Sequence, residues 1–244
     1  MRFADSHLHI EGPEAPRVLA LAEATGILLG ACGVDRETSE NALRQAESRP
    51  RTVKAFVGVH PSEAVKEGDL GWVRYALGKA AGLGEVGLDP KYSPTGPRSA
   101  QQRVLRAQLD SVLGKKPVQI HSRDAERECL DTLGGYRLGP VLMHWFQDET
   151  LLREVQDRGY FVSFGPSLLY SKKLQRMAAR FPHTQVLTET DSPVAFGPLG
   201  DAHGPQLVPS VVFRLSELWG ERFEDAGATL FGNAERFLGL SEKG

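Results

Sequence analysis

Two histidines near the start of the chain, His7 and His9, are separated by a single residue in the segment FADSHLHI. The short apolar run in this segment predicts a β-strand, in which residues two apart share a face. The two imidazoles then lie about 6.6 Å apart along the strand, close enough for both to bind one metal ion. A strand whose two histidines bind nothing is the alternative, because short motifs of this kind also occur by chance.

Four further residues of the metal-binding type lie near the ends of other apolar segments. Glu85 lies in GLGEVGLDP, His121 in PVQIHSRDA, His144 in PVLMHWF and Asp191 in TQVLTETDSP. Burying so many polar groups is unfavourable unless each has a partner. One or two metal ions would pair with all six residues at once, so the pattern as a whole indicates a metal site.

Eight short apolar segments alternate with helical segments, and these are the elements that must position the six residues. We expect strands at 3–10, 27–34, 53–61, 82–90, 117–125, 140–146, 160–166 and 184–193. Alternation of this kind predicts an α/β protein with a parallel sheet and helices outside it. A count of eight favours a closed (β/α)8 TIM barrel over an open doubly wound sheet. Catalytic groups of such barrels lie at the carboxyl ends of the strands, where these residues occur.

Composition restricts the class of protein further. The chain has 244 residues without a dividing linker, so we expect one domain over 1–244. A formal net charge of −2 argues against broad electrostatic binding to nucleic acid or membrane. Two distant cysteines and the absence of a signal segment or a long apolar stretch predict a cytoplasmic protein without membrane contact. No obligate protein partner is predicted.

The motifs DSHLH, GEVGLD, PVQIHSRDA, MHWF and TETDSP, in this order and spacing, resemble the TatD family of metal-dependent hydrolases. The segment FGNAERFLGL is similar to the closing helix of that family. The resemblance implies a TIM-barrel enzyme with two divalent metal ions, such as zinc, manganese or magnesium, and deoxyribonuclease activity. It also implies the ligands of the two ions: His7, His9 and Asp191 hold one, His121 and His144 hold the other, and Glu85 bridges them.

The residue types agree with this implication. Mixed imidazole and carboxylate ligands suit zinc, manganese or similar ions better than calcium. Two such ions lower the pKa of water from 15.7 towards about 7 and stabilise both oxygens of a displacement. Asp191 is a candidate to accept a proton from that water. The same metal pair would also serve a hydrolase of a small ester, lactone or amide, whereas a non-catalytic metal-holding protein would be expected to lack a ligand.

Four other residues are expected to support the site. Arg123, two residues beyond His121, is a candidate to hold a phosphate, with a solvated surface arginine as the alternative. His60 is expected to contact substrate or to cap its strand. Asp5 and Glu189 are expected to orient metal-binding histidines, although a core salt bridge fits Glu189 equally well.

Two loops depart from the family pattern, at 90–98 and at 197–206, and both would line the substrate cleft. The first lacks an aromatic residue directly after GLD, although Tyr92 follows shortly; the second lacks an Arg-Asn-x-Pro segment. Short strand-to-helix loops and a net charge of −2 give no broad basic track for duplex DNA, which carries about one charge per 1.7 Å. We therefore expect DNA as substrate, with single-stranded ends preferred.

Overall fold

Eight parallel strands form one sheet whose spatial order is the order of the sequence, β1 to β8. The computed structural model describes residues 1–66, 70–92, 98–112, 114, 116–194, 196, 198 and 203–240. The strands are β1 Ala4–Leu8, β2 Leu28–Cys32, β3 Val53–Val57, β4 Gly82–Gly87, β5 Val118–His121, β6 Val141–Met143, β7 Phe161–Phe164 and β8 Val186–Thr188. The α-helices are α1 Ala15–Thr25, α2 Arg36–Ser48, α3 Gly71–Leu77, α4 Arg98–Leu109, α5 Glu126–Leu133, α6 Leu152–Asp157, α7 Lys172–Arg180, α8 Val208–Trp219 and α9 Phe223–Phe237.

The first and last strands meet and close the sheet on itself. The hydroxyl of Thr188 donates to the carbonyl of Ala4 at 2.6 Å. Beyond the end of β8, the N–H of Asp191 donates to the carbonyl of His7 at 3.0 Å, and the carbonyl of Ser192 accepts from the N–H of His9 at 2.7 Å. This closure confirms the predicted (β/α)8 barrel.

The amino-terminal end of the barrel is filled by aromatic side chains. Phe237 of α9 stacks on Phe56 at 5.9 Å between ring centroids and meets Phe161 edge-on at 5.7 Å. The side-chain amide of Asn233, also on α9, donates to the carbonyl of Val186 at 2.7 Å and fixes the helix across that end. The carboxyl-terminal end is therefore the one left for chemistry. In the described part of the chain, no helix is long and apolar enough to span a membrane.

The regular strands are shorter than the sequence pattern predicts. Strand β3 ends at Val57, β6 at Met143 and β8 at Thr188, so His60, His144 and Asp191 lie on the loops that follow. The backbone N–H of each nevertheless donates to a neighbouring strand or to the segment that follows it. That of His144, for example, donates to the carbonyl of Ile120 in β5 at 3.1 Å. The predicted positions at the strand ends are thus correct to within a few residues, but the residues themselves are not all in strands.

Two predicted regions differ from the structure or fall outside it. The helical segment expected between the third and fourth strands begins only at Gly71, because a turn follows His60, whose carbonyl accepts from the N–H of Glu63 at 2.9 Å. Of the loop at 90–98, a short 3₁₀-helix at Pro90–Tyr92 is seen, and residues 93–97 lie outside the described part. The same applies to residues 197 and 199–202 of the second departing loop.

Neighbouring strands approach closely where glycine replaces a side chain. A Cβ added to Gly30 of β2 would lie 2.3 Å from the carbonyl oxygen of Ser6 in β1. One added to Gly87 of β4 would lie 1.8 Å from the carbonyl oxygen of His121 in β5. Both distances are far below van der Waals contact, so these positions require glycine for the strands to pack.

We predict that Gly30→Ala lowers the free energy of unfolding by about 1–3 kcal/mol, the usual cost of overpacking. Gly232→Ala in α9 is the matched control, because nothing lies within 4 Å of its added Cβ. Alanine stabilises a helix interior by about 0.5–1 kcal/mol relative to glycine, so this variant should be unchanged or more stable. Urea unfolding of metal-free protein measures both, and equal stability of the two variants would contradict the described approach of β1 and β2.

Candidate metal centre

The carboxylate of Glu85 lies among four histidines at the carboxyl-terminal end of the barrel. Its Oε1 lies 2.6 Å from Nδ1 of His121 and 2.8 Å from Nε2 of His144. Its Oε2 lies 3.6 Å from Nε2 of His7 and 3.4 Å from Nε2 of His9. Glu85 therefore stands between two pairs of imidazoles, one from the β1 region and one from the ends of β5 and β6.

Asp191 faces the pair of histidines from the β1 region. Its Oδ1 lies 3.5 Å from Nε2 of His7 and 3.5 Å from Nε2 of His9. The six residues predicted from the sequence thus lie together, although they come from five strand ends. Within the described residues, three groupings have ligand atoms that all lie within 4.8 Å of one another: His7 with His144 and Asp191, His7 with His9 and Glu85, and His60 with Glu85 and His121.

Hydrogen-bond partners fix which nitrogen of His7 and His9 carries the proton. Nδ1 of His9 lies 3.0 Å from the carbonyl oxygen of Cys32, which can only accept, so this nitrogen must be the donor. Nδ1 of His7 lies 2.6 Å from Oε1 of Gln119. The amide nitrogen of Gln119 donates to the carbonyl of Ser6 at 2.8 Å, which fixes the amide orientation and makes Oε1 the acceptor. In the neutral form, both histidines therefore direct an Nε2 lone pair at Glu85 and Asp191.

The other pair of histidines is held by carboxylates. Nδ1 of His144 lies 3.3 Å from Oε2 of Glu189, and Nε2 of His121 lies 2.7 Å from Oδ2 of Asp89. Glu189 also accepts from the hydroxyl of Ser163 at 2.7 Å. A carboxylate behind a metal-binding imidazole orients the ring and raises its basicity. The geometry therefore agrees with the predicted orienting role of Glu189.

His60 has the opposite arrangement to His7 and His9. Its Nδ1 accepts from the backbone N–H of Ser62 at 3.1 Å and lies 2.8 Å from the Ser62 hydroxyl. The proton of the neutral ring is therefore on Nε2, which lies 3.8 Å from Oε1 of Glu85. Burial, with nearby imidazoles, lowers the pKa of His60 to about 4, so the ring is neutral near pH 7. In this form His60 is a hydrogen-bond donor towards the cluster.

The cluster has the properties that a metal site requires. Nε2 of His7 is fully buried and has no hydrogen-bond partner within the described part of the chain. A buried polar atom without a partner is unfavourable, and an ion at this position would remove that cost. The donor set combines imidazole nitrogens with carboxylate oxygens, which suits zinc, manganese and similar ions. The residues present therefore fit one or more divalent metal ions.

Electrostatics also favour cations here. Burial by itself would raise the pKa of Glu85, but the surrounding imidazoles lower it well below its usual range. Burial by itself would also raise the pKa of Asp191. Contacts with His7 and His9 outweigh this effect, so its pKa is well below its usual range. Against the effect of burial, Glu85 and Asp89 raise the pKa of His121 to about 9. Because metal binding requires a deprotonated nitrogen, an ion at His121 would release a proton.

A cleft of about 540 Å³ opens onto the cluster. Arg123, Tyr92 and Trp145 are among the residues that line it. The guanidinium of Arg123 lies 2.7 Å from Oδ2 of Asp89 and 5.1 Å from the ring centre of Tyr92. Asp89 is fully buried, and its contacts hold Arg123 at the cleft rather than free in solvent.

The orienting role predicted for Asp5 is wrong. Its Oδ1 accepts from the backbone N–H of Thr190 at 2.9 Å, and its Oδ2 accepts from the Thr190 hydroxyl at 2.5 Å. The partner of His7 is Gln119 instead. Asp5 joins β1 to the segment after β8, and burial raises its pKa to about 7. Its contribution is to the closure of the barrel.

The sequence pattern of the family described as TatD related DNase matches residues 4–239 of the chain. The chain belongs to this family. It is 30% identical over 220 residues to deoxyribonuclease TATDN3 of Homo sapiens, which covers 80% of this chain and 79% of the relative. It is 28% identical over 260 residues to the metal-dependent hydrolase TatD of Mycobacterium tuberculosis, covering 98% of each.

A solved structure of a TatD relative shares the fold. The crystal structure of YJJV, a TatD homologue from Escherichia coli K12, matches with a TM-score of 0.82 at 24% identity, covering 96% of this chain and 97% of that one. Membership of the TatD family confirms the resemblance seen in the sequence and the prediction of a metal-dependent hydrolase of ester bonds.

Two residues of this TatD-type site are not predicted from the sequence. Gln119 lies two residues before His121 on β5 and therefore shares its inward face, which was the available signal. Asp89 follows β4 on the same segment as Glu85, but nothing in the sequence indicates that it pairs with both His121 and Arg123. These contacts depend on the distance between neighbouring strand ends, which sequence spacing does not reveal.

We predict that Gln119→Met weakens metal affinity by about 10- to 100-fold, the usual effect of removing a partner of a metal-binding histidine. Gln108→Met is the matched control. Gln108 is equally buried and bonds both backbone groups of Val59, at 2.7 and 3.1 Å, but it contacts no member of the cluster. The Gln108→Met variant should be less stable than the wild type. Its metal affinity, measured by calorimetric titration with Mn²⁺ or Zn²⁺, should be unchanged. Equal affinities for both variants and the wild type would contradict the role of Gln119.

Proposed function

We propose that the protein is a deoxyribonuclease that uses two divalent metal ions to cleave phosphodiester bonds from the ends of single-stranded DNA. The observation that carries the proposal is the convergence of four histidines and two carboxylates on a cleft that also holds one guanidinium. The family supplies the chemical class, since the TATDN3 relative is named a deoxyribonuclease. The positions of Arg123 and His60 support a phosphate as the group that is bound.

In this proposal Glu85 would bridge two metal ions, because its two oxygens face different pairs of imidazoles. His7, His9 and Asp191 would hold one ion, and His121 and His144 would hold the other. When bound, the ions polarise a phosphoryl oxygen and lower the pKa of a water molecule towards about 7. The charges of Glu85 and Asp191 offset those of the ions inside the buried site.

Asp191 is the proposed acceptor of the proton from the attacking water. Against the effect of burial, contacts with His7 and His9 keep its pKa low, so it is ionised throughout the neutral range, and it lines the cleft. His60 supplies the complementary group, because its Nε2 carries a proton and points towards Glu85. A neutral donor at that place can bind a phosphate oxygen without competing for a metal ion.

Arg123 is the proposed holder of the phosphate. Among the described residues that line the cleft, it is the sole lysine or arginine. Asp89 engages one terminal nitrogen at 2.7 Å, and a guanidinium has five N–H donors, so others are available to an anion. The contact with Asp89 restricts the side chain before substrate binds, which reduces the entropy lost on binding.

The size and charge of the cleft support single-stranded ends as substrate. A volume of about 540 Å³ is in the range of sites for small ligands, so it suits one nucleotide rather than a duplex. Asp124 and Glu126 also line the cleft, and their charges oppose a long run of phosphates. A hydrolase of a small ester, lactone or amide would use the same ions, but Arg123 favours a phosphate over those substrates. We propose no obligate protein partner.

A hydrolysis panel tests the proposal. Chelator-treated protein is resupplied with single metals and offered single-stranded DNA, duplex DNA, RNA, simple phosphodiesters, esters and amides. We expect metal-dependent release of terminal nucleotides, fastest from single-stranded DNA. Hydrolysis of a small ester or amide without any cleavage of nucleic acid would overturn the assignment of substrate, while the metal requirement would stand.

We predict different effects for Glu85→Gln and Asp191→Asn. The first removes the charge between the two ions, so metal stoichiometry measured by elemental analysis should fall below that of the wild type. The second should keep at least one ion, with activity falling by about 10²-fold or more because proton transfer is lost. Asp157→Asn, an exposed change in α6, controls for loss of charge. Turnover equal to wild type by either site variant at saturating metal would refute its assigned role.

We predict that Arg123→Met lowers kcat/KM for phosphodiesters by roughly 10- to 100-fold, as expected for loss of a charged hydrogen bond, with metal content unchanged. Asp89 keeps its contacts with His121 and with the N–H of Lys91 in this variant. Arg127→Met is the control, since Arg127 lies on α5 and pairs with Glu154 on the surface. Loss of metal from Arg123→Met would show instead that Arg123 acts through Asp89 on the metal site.

A further inference from the structure

Trp145 directly follows His144 and has an unusual backbone conformation. Its φ of 42° lies in the left-handed region, which is unfavourable for a bulky residue. Its backbone N–H donates to Oε1 of Glu189 at 3.1 Å, and it lies 3.3 Å from the hydroxyl of Ser163. The carboxylate that orients His144 therefore also fixes Trp145. Strain of this kind is retained where the surrounding structure holds it, commonly at functional sites.

The side chain of Trp145 forms part of the cleft wall, beside His144 and Asp191. Its ring lies 5.4 Å from that of Phe196, at an angle of 50°. Its Nε1 is buried and has no acceptor in the described part of the chain. The cleft thus has an aromatic side chain in its wall, next to the metal cluster. None of the metal chemistry described above uses it.

We propose that Trp145 determines specificity by stacking on the nucleobase next to the cleaved phosphodiester. This inference rests on the proposed function and extends it from the phosphate to the base. Every nucleobase has a π-face, so stacking supplies binding that is tolerant of sequence. The substrate is then recognised as a nucleotide, with the phosphate at Arg123 and the base at Trp145, and a phosphodiester without a base is a poor substrate.

A binding experiment tests the stacking without hydrolysis. The chain has three tryptophans, at positions 72, 145 and 219. Substituting Trp72 and Trp219 by phenylalanine leaves Trp145 as the single fluorescent tryptophan. In metal-free protein, dAMP should quench its emission strongly, whereas deoxyribose 5-phosphate should have little effect. Equal responses to the two ligands, or no response to either, would overturn the inference.

A kinetic experiment tests the consequence for specificity. Metal-loaded enzyme is offered an oligonucleotide with a normal terminal nucleotide and the same oligonucleotide with an abasic terminus. Wild type should prefer the base by roughly 10- to 100-fold in kcat/KM, mainly through KM, which is the range expected for base stacking. Trp145→Leu should lose this preference, and Trp145→Phe should keep most of it because it retains an aromatic face.

Two results separate this inference from the proposed function. An unchanged preference in Trp145→Leu with wild-type metal content would refute the role of Trp145, while the deoxyribonuclease assignment would stand. Absence of cleavage with both oligonucleotides would refute the deoxyribonuclease assignment, and the fluorescence experiment would still decide whether the cleft stacks a base. Trp219→Phe is the matched kinetic control, because the indole of Trp219 donates to Ala178 away from the cleft.

Discussion

The buried charge of Glu85 is the feature on which the site depends. A carboxylate that is 2% exposed is costly unless positive charge surrounds it, and here four imidazoles do so. The same oxygens that contact the imidazoles are those a divalent ion would use. Contacts between carboxylates and imidazoles in the cluster therefore take the place of some of the contacts that metal ions would make. This explains why so many titratable side chains can occupy the end of an otherwise apolar barrel.

The hydrogen bonds behind the histidines divide them by role. His7 and His9 face acceptors at Nδ1 and so have a free lone pair at Nε2 in the neutral form. His60 faces a backbone donor at Nδ1 and so carries its proton at Nε2. One residue type thereby supplies both electron pairs of the kind that bind a metal and an N–H that is the proposed donor to substrate. Which nitrogen carries the proton is decided entirely by the backbone or amide group that faces Nδ1 of each ring.

The barrel and the cluster could be predicted from sequence because both follow from periodicity. Alternating apolar segments fix the count of strands, and the strand ends bring Glu85, His121 and Asp191 to one side. The partners of these residues could not be predicted in the same way. The structure differs from the orienting role predicted for Asp5, because its hydrogen-bond partner, Thr190, lies far along the chain. The pairing of Asp89 with Arg123 and the exposure of Trp145 to the cleft likewise depend on how loops of neighbouring strands meet.

The position of the site at the junction of the first and last strands has a consequence for when it can form. His7 is synthesised before Asp191, which faces it across that junction and is 184 residues further along the chain. Until β8 has been made and has closed against β1, His7 and His9 lack this carboxylate partner. The complete set of proposed ligands therefore exists only in a finished barrel, so metal binding by this set would follow the closure of the barrel. Any free energy of metal binding is added to the folded state alone, and metal supply and barrel stability are linked.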